Sequence, residues 1–396
     1  MFRIKNFVTS SAQVSGTGRI QDMKKWTVRL LKFVVLPLIL ILLVSAATAL
    51  GVRAWYQGTI ANQRAITVPN GIEVFEERTI GGNSQWIQVR GHDKSNPILL
   101  VLHGGPGAAL MPMGHAFQHK WEEHFTVVQW DQRESGKSYT GESGADSMTR
   151  DRYVQDTLEL VDHLRQRFDQ EKIVLLGHSW GSVLGIEAVH RRPEWFHAYV
   201  GVGQVVNMQT NERTTYEFTL DQARAHHNAQ ALAELKAIAP YPGENMQEKL
   251  LIQREWLLRF GGGLYGQTSF NSLFKTIAVA PEYSLRDVGR FVQGAYFGVE
   301  KLFDELMTVD IEELGHAFDV PILLFSGRHD NQVPSTINEA WFNEISAPHK
   351  EYVWFEESAH FSMLEQPSEF AQELIARVLP LTQSSIDEST DEAVSN

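Results

Sequence analysis

Residues 177–181 read Gly-His-Ser-Trp-Gly, between an apolar strand-like run at 172–176 and a helix-like stretch at 182–192. A serine at a sharp strand-to-helix turn has its hydroxyl lifted out of the sheet, and its strained backbone requires small residues two positions away on either side. The two glycines meet this requirement. A chance match in a glycine-containing loop is the alternative, but the flanking elements favour the turn. The pattern therefore predicts that Ser179 is a nucleophile.

A second glycine-rich segment reads His-Gly-Gly-Pro-Gly over 103–107 and follows an apolar strand predicted at 97–102. Acyl transfer builds negative charge on a carbonyl oxygen, and fixed backbone N–H groups stabilise that charge. We expect the N–H groups of Gly105 and Trp180 to form this oxyanion hole. Pro106 has no N–H and stiffens the loop. A plain Gly-Pro turn is the alternative reading of the segment.

The two remaining members of a triad are predicted from chain order. In folds with this kind of nucleophile turn, the serine is followed by an acid and then by a histidine. Asp330 comes just after a strand predicted at 320–325, and His360 comes just after one at 351–355. Both positions lie past the carboxyl ends of apolar strands, where sites in open α/β sheets are built. We predict that His360 is the base and that Asp330 orients it.

Together these segments resemble the motifs of prolyl-iminopeptidase-type α/β-hydrolases over about residues 70–380. The matching segments are His103-Gly-Gly-Pro-Gly107, Asp131-Gln-Arg133, Gly177-His-Ser-Trp-Gly-Ser182, Gly327-Arg-His-Asp330 and Ala359-His-Phe361. The resemblance implies an enzyme that releases N-terminal residues, notably proline, from peptides by a Ser-Asp-His triad without a metal. Glu134 stands where this family usually has glycine.

The pattern of apolar residues predicts an α/β fold with a mostly parallel sheet, helices on both faces and an inserted helical cap. The hydrolase core is expected in two parts, 70–205 and 317–380, with the cap at 206–316 between them. A separate helical domain is the alternative for the middle segment. Helical spacing is seen over 150–168 in the core, and in the cap over 210–239, 246–260, 284–292 and 299–314.

An aminopeptidase also needs an anion that binds the free amine of its substrate. The predicted cap offers three glutamates for this role, Glu212, Glu217 and Glu255. The alternative, which we favour for each residue taken singly, is a solvated glutamate on the outer face of a helix. A pair of residues after the core strand at 125–130, Asp131 and Arg133, is read as a structural salt bridge.

The first 52 residues differ from the rest of the chain. Residues 33–50 carry no charge and approach the length needed to cross a bilayer, while the leader 1–32 is strongly basic. We predict a membrane anchor at 33–52, with the leader cytoplasmic and the hydrolase outside. A signal peptide cleaved near Ala47-Thr-Ala49 is the alternative, which would release a secreted enzyme. A buried core helix is a third and weaker reading.

Composition excludes several classes of function. The chain has no cysteine, so it has neither a disulfide nor a thiol nucleophile. Its formal net charge of −13 argues against nucleic acid as a partner. His115 and His119 are spaced like zinc ligands but lack the glutamate of a metalloprotease motif, so no metal or other cofactor is predicted. The tail 381–396 has acidic residues and no basic one, and is predicted to be disordered.

The sequence therefore predicts a serine hydrolase. Its leading substrate is a short peptide with a free N-terminus, which makes it an aminopeptidase. A carboxylesterase or lipase acting on a small ester is the alternative, because it would use the same triad and oxyanion hole. A membrane-tethered binding module that has lost catalysis is a further alternative, which the intact set of Ser179, Asp330 and His360 disfavours. The sequence does not predict the oligomeric state.

Overall fold

A computed structural model describes residues 16–383 of the 396-residue chain. The described chain divides into two compact units between Gly58 and Thr59. The first part of the chain is helical, with α1 at Gly16–Leu30, a π-helical turn at Leu31–Val35 and α2 at Leu36–Gln63. Residues 1–15 of the predicted leader and residues 384–396 of the predicted tail lie outside the described range.

The stretch Met23–Gln63 is long and apolar enough to cross a membrane, by length and composition alone. Its most apolar window is not buried against other residues, and it contains the anchor predicted at 33–52. A signal sequence passes the same test, so the predicted orientation stays a prediction. At the other end of the chain, the start of the predicted disordered tail is ordered instead, because a 3-10 helix covers Leu379–Thr382.

One eight-stranded sheet forms the centre of the second unit. Its order is β1-β2-β4-β3-β5-β6-β7-β8, with β1 and β2 antiparallel to their neighbours and the other strands parallel. Strands β3, β5 and β7 are buried throughout, which explains their unbroken apolar runs. The strands are β1 Ile72–Ile80, β2 Asn83–Gly91, β3 Ile98–Leu102, β4 Thr126–Asp131, β5 Ile173–His178, β6 Phe196–Val202, β7 Ile322–Gly327 and β8 Lys350–Phe355.

Helices cover both faces of this sheet. One apolar core lies under α3 and α4, and the other lies under α12 and the 3-10 turns at Met111–Ala116 and Gln118–Glu123. The helices that follow β4 in the chain are α3 Arg150–Phe168, α4 Trp180–Arg191, α5 Met208–Ala225, α6 Ala229–Ala237, α7 Met246–Arg259, α8 Asn271–Ala278, α9 Leu285–Met307, α10 Ser335–Glu344, α11 Ser362–Glu365 and α12 Pro367–Val378.

The helices α5 to α9 lie between β6 and β7, and we call this segment the helical insert. Its details differ from the sequence-based expectation. The helix predicted at 210–239 is interrupted at 226–228, where the Asn228 side chain caps α6 by accepting from the N–H of Ala231. The short helix α8 was not predicted.

The helices predicted at 284–292 and 299–314 are wrong as separate elements, because α9 runs unbroken from Leu285 to Met307. Its two central glycines, Gly294 and Gly298, weaken a helix intrinsically and so suggest a break. In the fold they permit contact between backbones. A Cβ atom on Gly294 would lie 2.7 Å from the carbonyl oxygen of Glu134, and one on Gly298 would lie 2.8 Å from that of Pro106.

Candidate active site

Ser179 sits at the turn between β5 and α4 with φ 55° and ψ −120°, a backbone conformation that a residue with a side chain rarely adopts. The flanking glycines are required by close contacts. A Cβ atom on Gly177 would lie 2.5 Å from the carbonyl oxygen of Gly181, and one on Gly181 would lie 2.2 Å from that of Leu102. The Ser179 N–H donates to the carbonyl of Val202 at 2.9 Å, which fixes the strained residue. Strain of this kind is typical of functional positions.

Asp330 and His360 form a buried pair. The His360 Nδ1 lies 2.8 Å from the Asp330 Oδ2, and both side chains are 1% exposed. The other carboxylate oxygen of Asp330 accepts from the N–H groups of Gln332 and Val333, at 3.0 and 2.9 Å. The His360 Nε2 has no hydrogen-bond partner among residues 16–383. A carboxylate held in this way sets the tautomer and orientation of the ring and leaves Nε2 free to accept a proton.

The loop that carries His360 is held by Glu365, a residue that the sequence analysis did not single out. Its Oε2 accepts from the Ser358 hydroxyl at 2.9 Å and from the N–H groups of Ala359 and Phe361 at 3.0 and 3.1 Å. These three bonds hold the residues that precede and follow His360 in the chain. In the sequence, the one sign of this role was an acidic residue a few positions after the predicted histidine.

The helical insert also contacts both loops of this pair. The carbonyl oxygens of Gly262 and Gly263 accept from the N–H groups of Asn331 and His360, at 2.9 and 3.3 Å. The turn between α7 and α8 therefore touches the residue after Asp330 and the histidine itself. The position of the insert and the position of the pair are coupled through these two bonds.

His178 packs behind His360. Their ring centroids are 4.8 Å apart, and the His178 Nε2 lies 2.9 Å from the carbonyl oxygen of His360. Burial, together with the neighbouring His360, lowers the pKa of His178 to about 3. The ring is therefore neutral near pH 7, and its Nε2–H donates to the His360 carbonyl.

The segment 103–108, here called the glycine loop, lies beside the serine. A Cβ atom on Gly104 would lie 3.0 Å from the Ser179 Cβ, and Gly105 has φ 116°. Within residues 16–383, neither Gly105 nor Trp180 uses its N–H to donate to the protein. Two unused donors next to a serine are the arrangement that an oxyanion hole needs.

His103 joins the glycine loop to the strand end of β4. Its Nδ1 lies 2.8 Å from the Gly104 carbonyl oxygen, and its Nε2 lies 3.2 Å from the N–H of Gln132. Burial lowers the pKa of His103 to about 4, so the ring is neutral near pH 7. A neutral ring donates from Nδ1 and accepts at Nε2, which satisfies both contacts.

The predicted salt bridge between Asp131 and Arg133 is not present. Arg133 instead pairs with Asp156 of α3 at 2.9 Å, with both side chains buried. Asp131 accepts from the N–H of Lys137 at 2.8 Å and from the hydroxyl of Tyr283, which belongs to the insert. The strand ends at Asp131 and the chain turns at 132–135, where the Ser135 N–H donates to the Gln132 carbonyl, so Arg133 no longer follows the alternation of the strand and finds its partner on α3.

Two cavities meet at Ser179. The larger has a volume of about 620 Å³ and lies between Ser179 and the insert, with Gly105 and Trp180 in its wall. The smaller has a volume of about 280 Å³ and contains His360. The smaller cavity is lined mainly by apolar side chains, which are Leu110, Met113, Phe270, Leu273, Phe274, Ile277, Phe291 and Phe361. The site can therefore take a substrate with groups on both sides of a carbonyl held at the serine.

The three cap glutamates do not line either cavity. Glu217 is exposed, and Glu255 is exposed and pairs with Arg259 at 2.6 Å. Glu212 is fully buried, where it accepts from the Tyr241 hydroxyl at 2.5 Å and pairs with Arg254. The structure does not bring these three residues together at a cavity. Helical spacing alone does not tell which face of each insert helix meets the core, so it could not predict where these side chains lie.

Comparison with known proteins gives a family and relatives. A family described as the alpha/beta hydrolase fold matches residues 97–367. The protein named probable aminopeptidase YbaC of Bacillus subtilis is 34% identical over 304 residues, which are 76% of this chain and 95% of that one. A proline iminopeptidase of Heyndrickxia coagulans is 24% identical over 281 residues, covering 69% of this chain and 87% of its own.

Among solved structures, a proline iminopeptidase-related protein of Thermus thermophilus aligns with a TM-score of 0.58. The alignment covers 78% of this chain and 99% of that one at 21% identity. A likeness at this identity concerns the fold alone. It agrees with the fold class predicted from the sequence.

Proposed function

The chain belongs to the α/β-hydrolase family, and on that premise we propose that it is a serine hydrolase acting through Ser179, His360 and Asp330. The observation that carries this proposal is the buried His360–Asp330 pair. Its Nε2 has no partner within residues 16–383, and its histidine lines the same cavity as the strained Ser179. A serine becomes a useful nucleophile only when such a base takes its proton.

In the proposed reaction the Ser179 Oγ attacks the carbonyl carbon while the His360 Nε2 takes the hydroxyl proton. The carbonyl oxygen becomes negatively charged and is stabilised by the N–H groups of Gly105 and Trp180. His360 then gives the proton to the leaving group as the bond to the carbonyl carbon breaks. Water, deprotonated by the same nitrogen, then attacks the carbonyl carbon of the acyl-enzyme. As the bond between this carbon and the Ser179 Oγ breaks, His360 returns the proton to Oγ and the free acid leaves. Asp330 stabilises the imidazolium throughout.

We propose an amide bond at the N-terminus of a short peptide as the substrate. Support comes from the relatives named as aminopeptidase and proline iminopeptidase. A cavity of about 620 Å³ beside the serine is of a size that encloses a small ligand. None of the three glutamates predicted to receive the free amine lines either of the two cavities at Ser179.

An ester hydrolase is the second candidate, favoured by the apolar lining of the smaller cavity. An apolar pocket that contains the catalytic base can hold an alkyl or acyl chain as well as an apolar side chain. Esters are also intrinsically easier to cleave than amides, so the same residues would suffice.

For location we propose that the helix spanning Met23–Gln63 anchors the enzyme in a membrane, with its basic N-terminal side in the cytoplasm and the hydrolase outside. A secreted enzyme released by signal cleavage is the alternative. The apparent size of the protein in a membrane fraction decides between them, because an anchored chain keeps its first 52 residues.

The test compares the full chain in detergent with its Ser179→Ala variant. Substrates are prolyl- and alanyl-arylamides, their N-acetylated forms and short p-nitrophenyl esters. Cleavage of the free-amine amides alone supports an aminopeptidase, and cleavage of the esters alone supports the second candidate. A serine-reactive phosphonate should label wild type and not Ser179→Ala. Hydrolysis that survives in Ser179→Ala would contradict the proposed nucleophile.

A further inference from the structure

The larger of the two cavities at Ser179, called the main cavity from here on, has a positively charged side chain in its wall. Among the described residues that line it, Arg254 of α7 is the one arginine or lysine. The two carboxylates of the lining, Glu248 and Glu300, are exposed to solvent, and the Glu300 side chain is 61% exposed against 26% for Arg254. A charge that is largely removed from water interacts more strongly with a ligand than a charge at a solvated rim.

Arg254 is also held in place. Its guanidinium donates to the buried carboxylate of Glu212 and to the side-chain oxygen of Gln253. Burial lowers the pKa of Arg254, but the attraction and hydrogen bonds of Glu212 and Tyr241 together outweigh burial, and the pKa is raised. The group therefore keeps its charge, and Glu212 acts as a positioning residue for it.

A guanidinium has five N–H donors, and Glu212, Gln253 and Tyr241 engage only part of them. The side chain lines the cavity and is 26% exposed, so its partners do not enclose it completely. Carboxylates are the groups that match this geometry, because they accept two parallel N–H bonds from one guanidinium.

We propose that Arg254 binds a carboxylate of the substrate, so that the preferred substrates are short peptides with a negatively charged group inside the main cavity. This inference rests on the proposed function, since it concerns the substrate of the same site. The carboxylate has two possible sources in a short peptide, its C-terminus or an acidic side chain of its N-terminal residue. The cavity volume of about 620 Å³ limits either substrate to a few residues.

The first measurement is binding without turnover, made on the full chain in detergent with Ser179→Ala. Calorimetry compares Ala-Ala with its C-terminal amide, and Glu-Ala amide with Gln-Ala amide. Each pair differs by one negative charge at one of the two sources. We expect one of the two carboxylate ligands to bind about 10-fold more tightly than its neutral counterpart.

The second measurement adds variants of the arginine. Arg254→Gln should abolish the difference within the pair, and Arg254→Lys should restore part of it, since it keeps the charge and loses the two-pronged geometry. Because Arg254→Gln leaves Glu212 buried without its cation, the double variant Glu212→Gln/Arg254→Gln provides a folded alternative. Arg259→Gln is the matched control, since Arg259 lies on the same helix, is exposed and pairs with Glu255.

Selective loss of the carboxylate preference in Arg254→Gln or in the double variant, with Arg259→Gln unchanged, supports the inference. Equal affinity for acid and amide in both pairs, or binding of none of the four peptides, overturns it. The same loss for charged and neutral ligands also overturns it. Since turnover is not measured, an enzyme that fails to cleave peptides fails the proposed function and not this test.

Discussion

Tyr283, which precedes α9, donates a hydrogen bond to Asp131, the last residue of β4, and so ties the helical insert to the carboxyl end of this strand. Asp131 is fully buried, and one of its carboxylate oxygens has no partner in the described part of the chain. The neighbouring ion pair of Lys137 with Asp287 crosses between the same two parts at 2.9 Å. The contact is therefore polar and sensitive to ionisation.

Asp131 should make the protein less stable as pH rises. Burial raises its pKa to about 7 from 3.8, in spite of the hydrogen bonds from Tyr283 and Lys137. Between these two values the folded state binds the proton more tightly than the unfolded state, so the free energy of unfolding falls with pH and levels off above pH 7. The loss is on the order of 2–4 kcal/mol. In urea denaturation at pH 5 and pH 8, Asp131→Asn should gain on wild type at the higher pH, whereas a constant difference would contradict the prediction.

Asp330→Asn should lower kcat strongly with little effect on folding. The amide keeps the size of the carboxylate, but it no longer fixes the His360 Nδ1–H or stabilises an imidazolium. A reduction of roughly 10³- to 10⁴-fold is expected from comparable triads. Steady-state kinetics on the best arylamide or ester, with circular dichroism to check folding, makes the measurement. A kcat within about 10-fold of wild type would remove Asp330 from the triad.

Gly298→Ala should reduce both stability and kcat, because the new methyl group would lie 2.8 Å from the carbonyl oxygen of Pro106 in the glycine loop. Gly289→Ala provides the control on the same helix, where a Cβ atom meets nothing within 4 Å. Alanine there should stabilise the protein by up to about 1 kcal/mol and leave kcat unchanged. Thermal unfolding and kinetics of the two variants check this. Similar behaviour of both would show that α9 does not constrain the loop.

Glu134→Gly introduces the residue that related motifs carry, and it should nevertheless destabilise the protein. Glycine relieves the strain of φ 54°, which is worth about 1 kcal/mol. The Glu134 carboxylate, however, accepts from the N–H groups of Thr140, Gly141 and Ser143 and from the Thr140 hydroxyl. Bonds to a charged group contribute about 1.5–3 kcal/mol each, so their loss outweighs the relief. Hydrogen exchange at 140–143 should accelerate in the variant, and unchanged protection would contradict this account.

Central strands such as β3, β5 and β7 could be predicted from the sequence because each carries its own apolar run. The triad residues could be proposed for a related reason, since each follows directly from the end of such a strand. The insert could not be predicted to the same degree. Its predicted glutamates all lie in segments with a helical pattern, and that pattern does not tell which of them is buried. Only packing against the core decides that Glu212 is buried while Glu217 is exposed.

Ion pairs between residues that are far apart in the chain could not be predicted from the sequence either. Arg133 finds Asp156 on a helix that follows it by some 20 residues, whereas the nearer Asp131 points elsewhere. The unbroken α9 is a similar case, because the reason for its central glycines lies in the backbone at 134–136, which meets Gly294, and at 106–107, which meets Gly298. Such features depend on which surfaces meet, and a local pattern does not contain that information.

The contact between α9 and the glycine loop, made without side chains, has a consequence for how this enzyme could change over time. Where two backbones touch at Gly294 and Gly298, no side chain at the contact can be replaced by a smaller one. A substitution at Gly298 would therefore displace the backbone of the glycine loop next to Ser179. Helices α5 and α7 carry no such restriction and contribute Asn211, Arg254 and Leu257 to the cavity wall. New substrates can thus be acquired through those two helices while the chemistry at the serine stays intact.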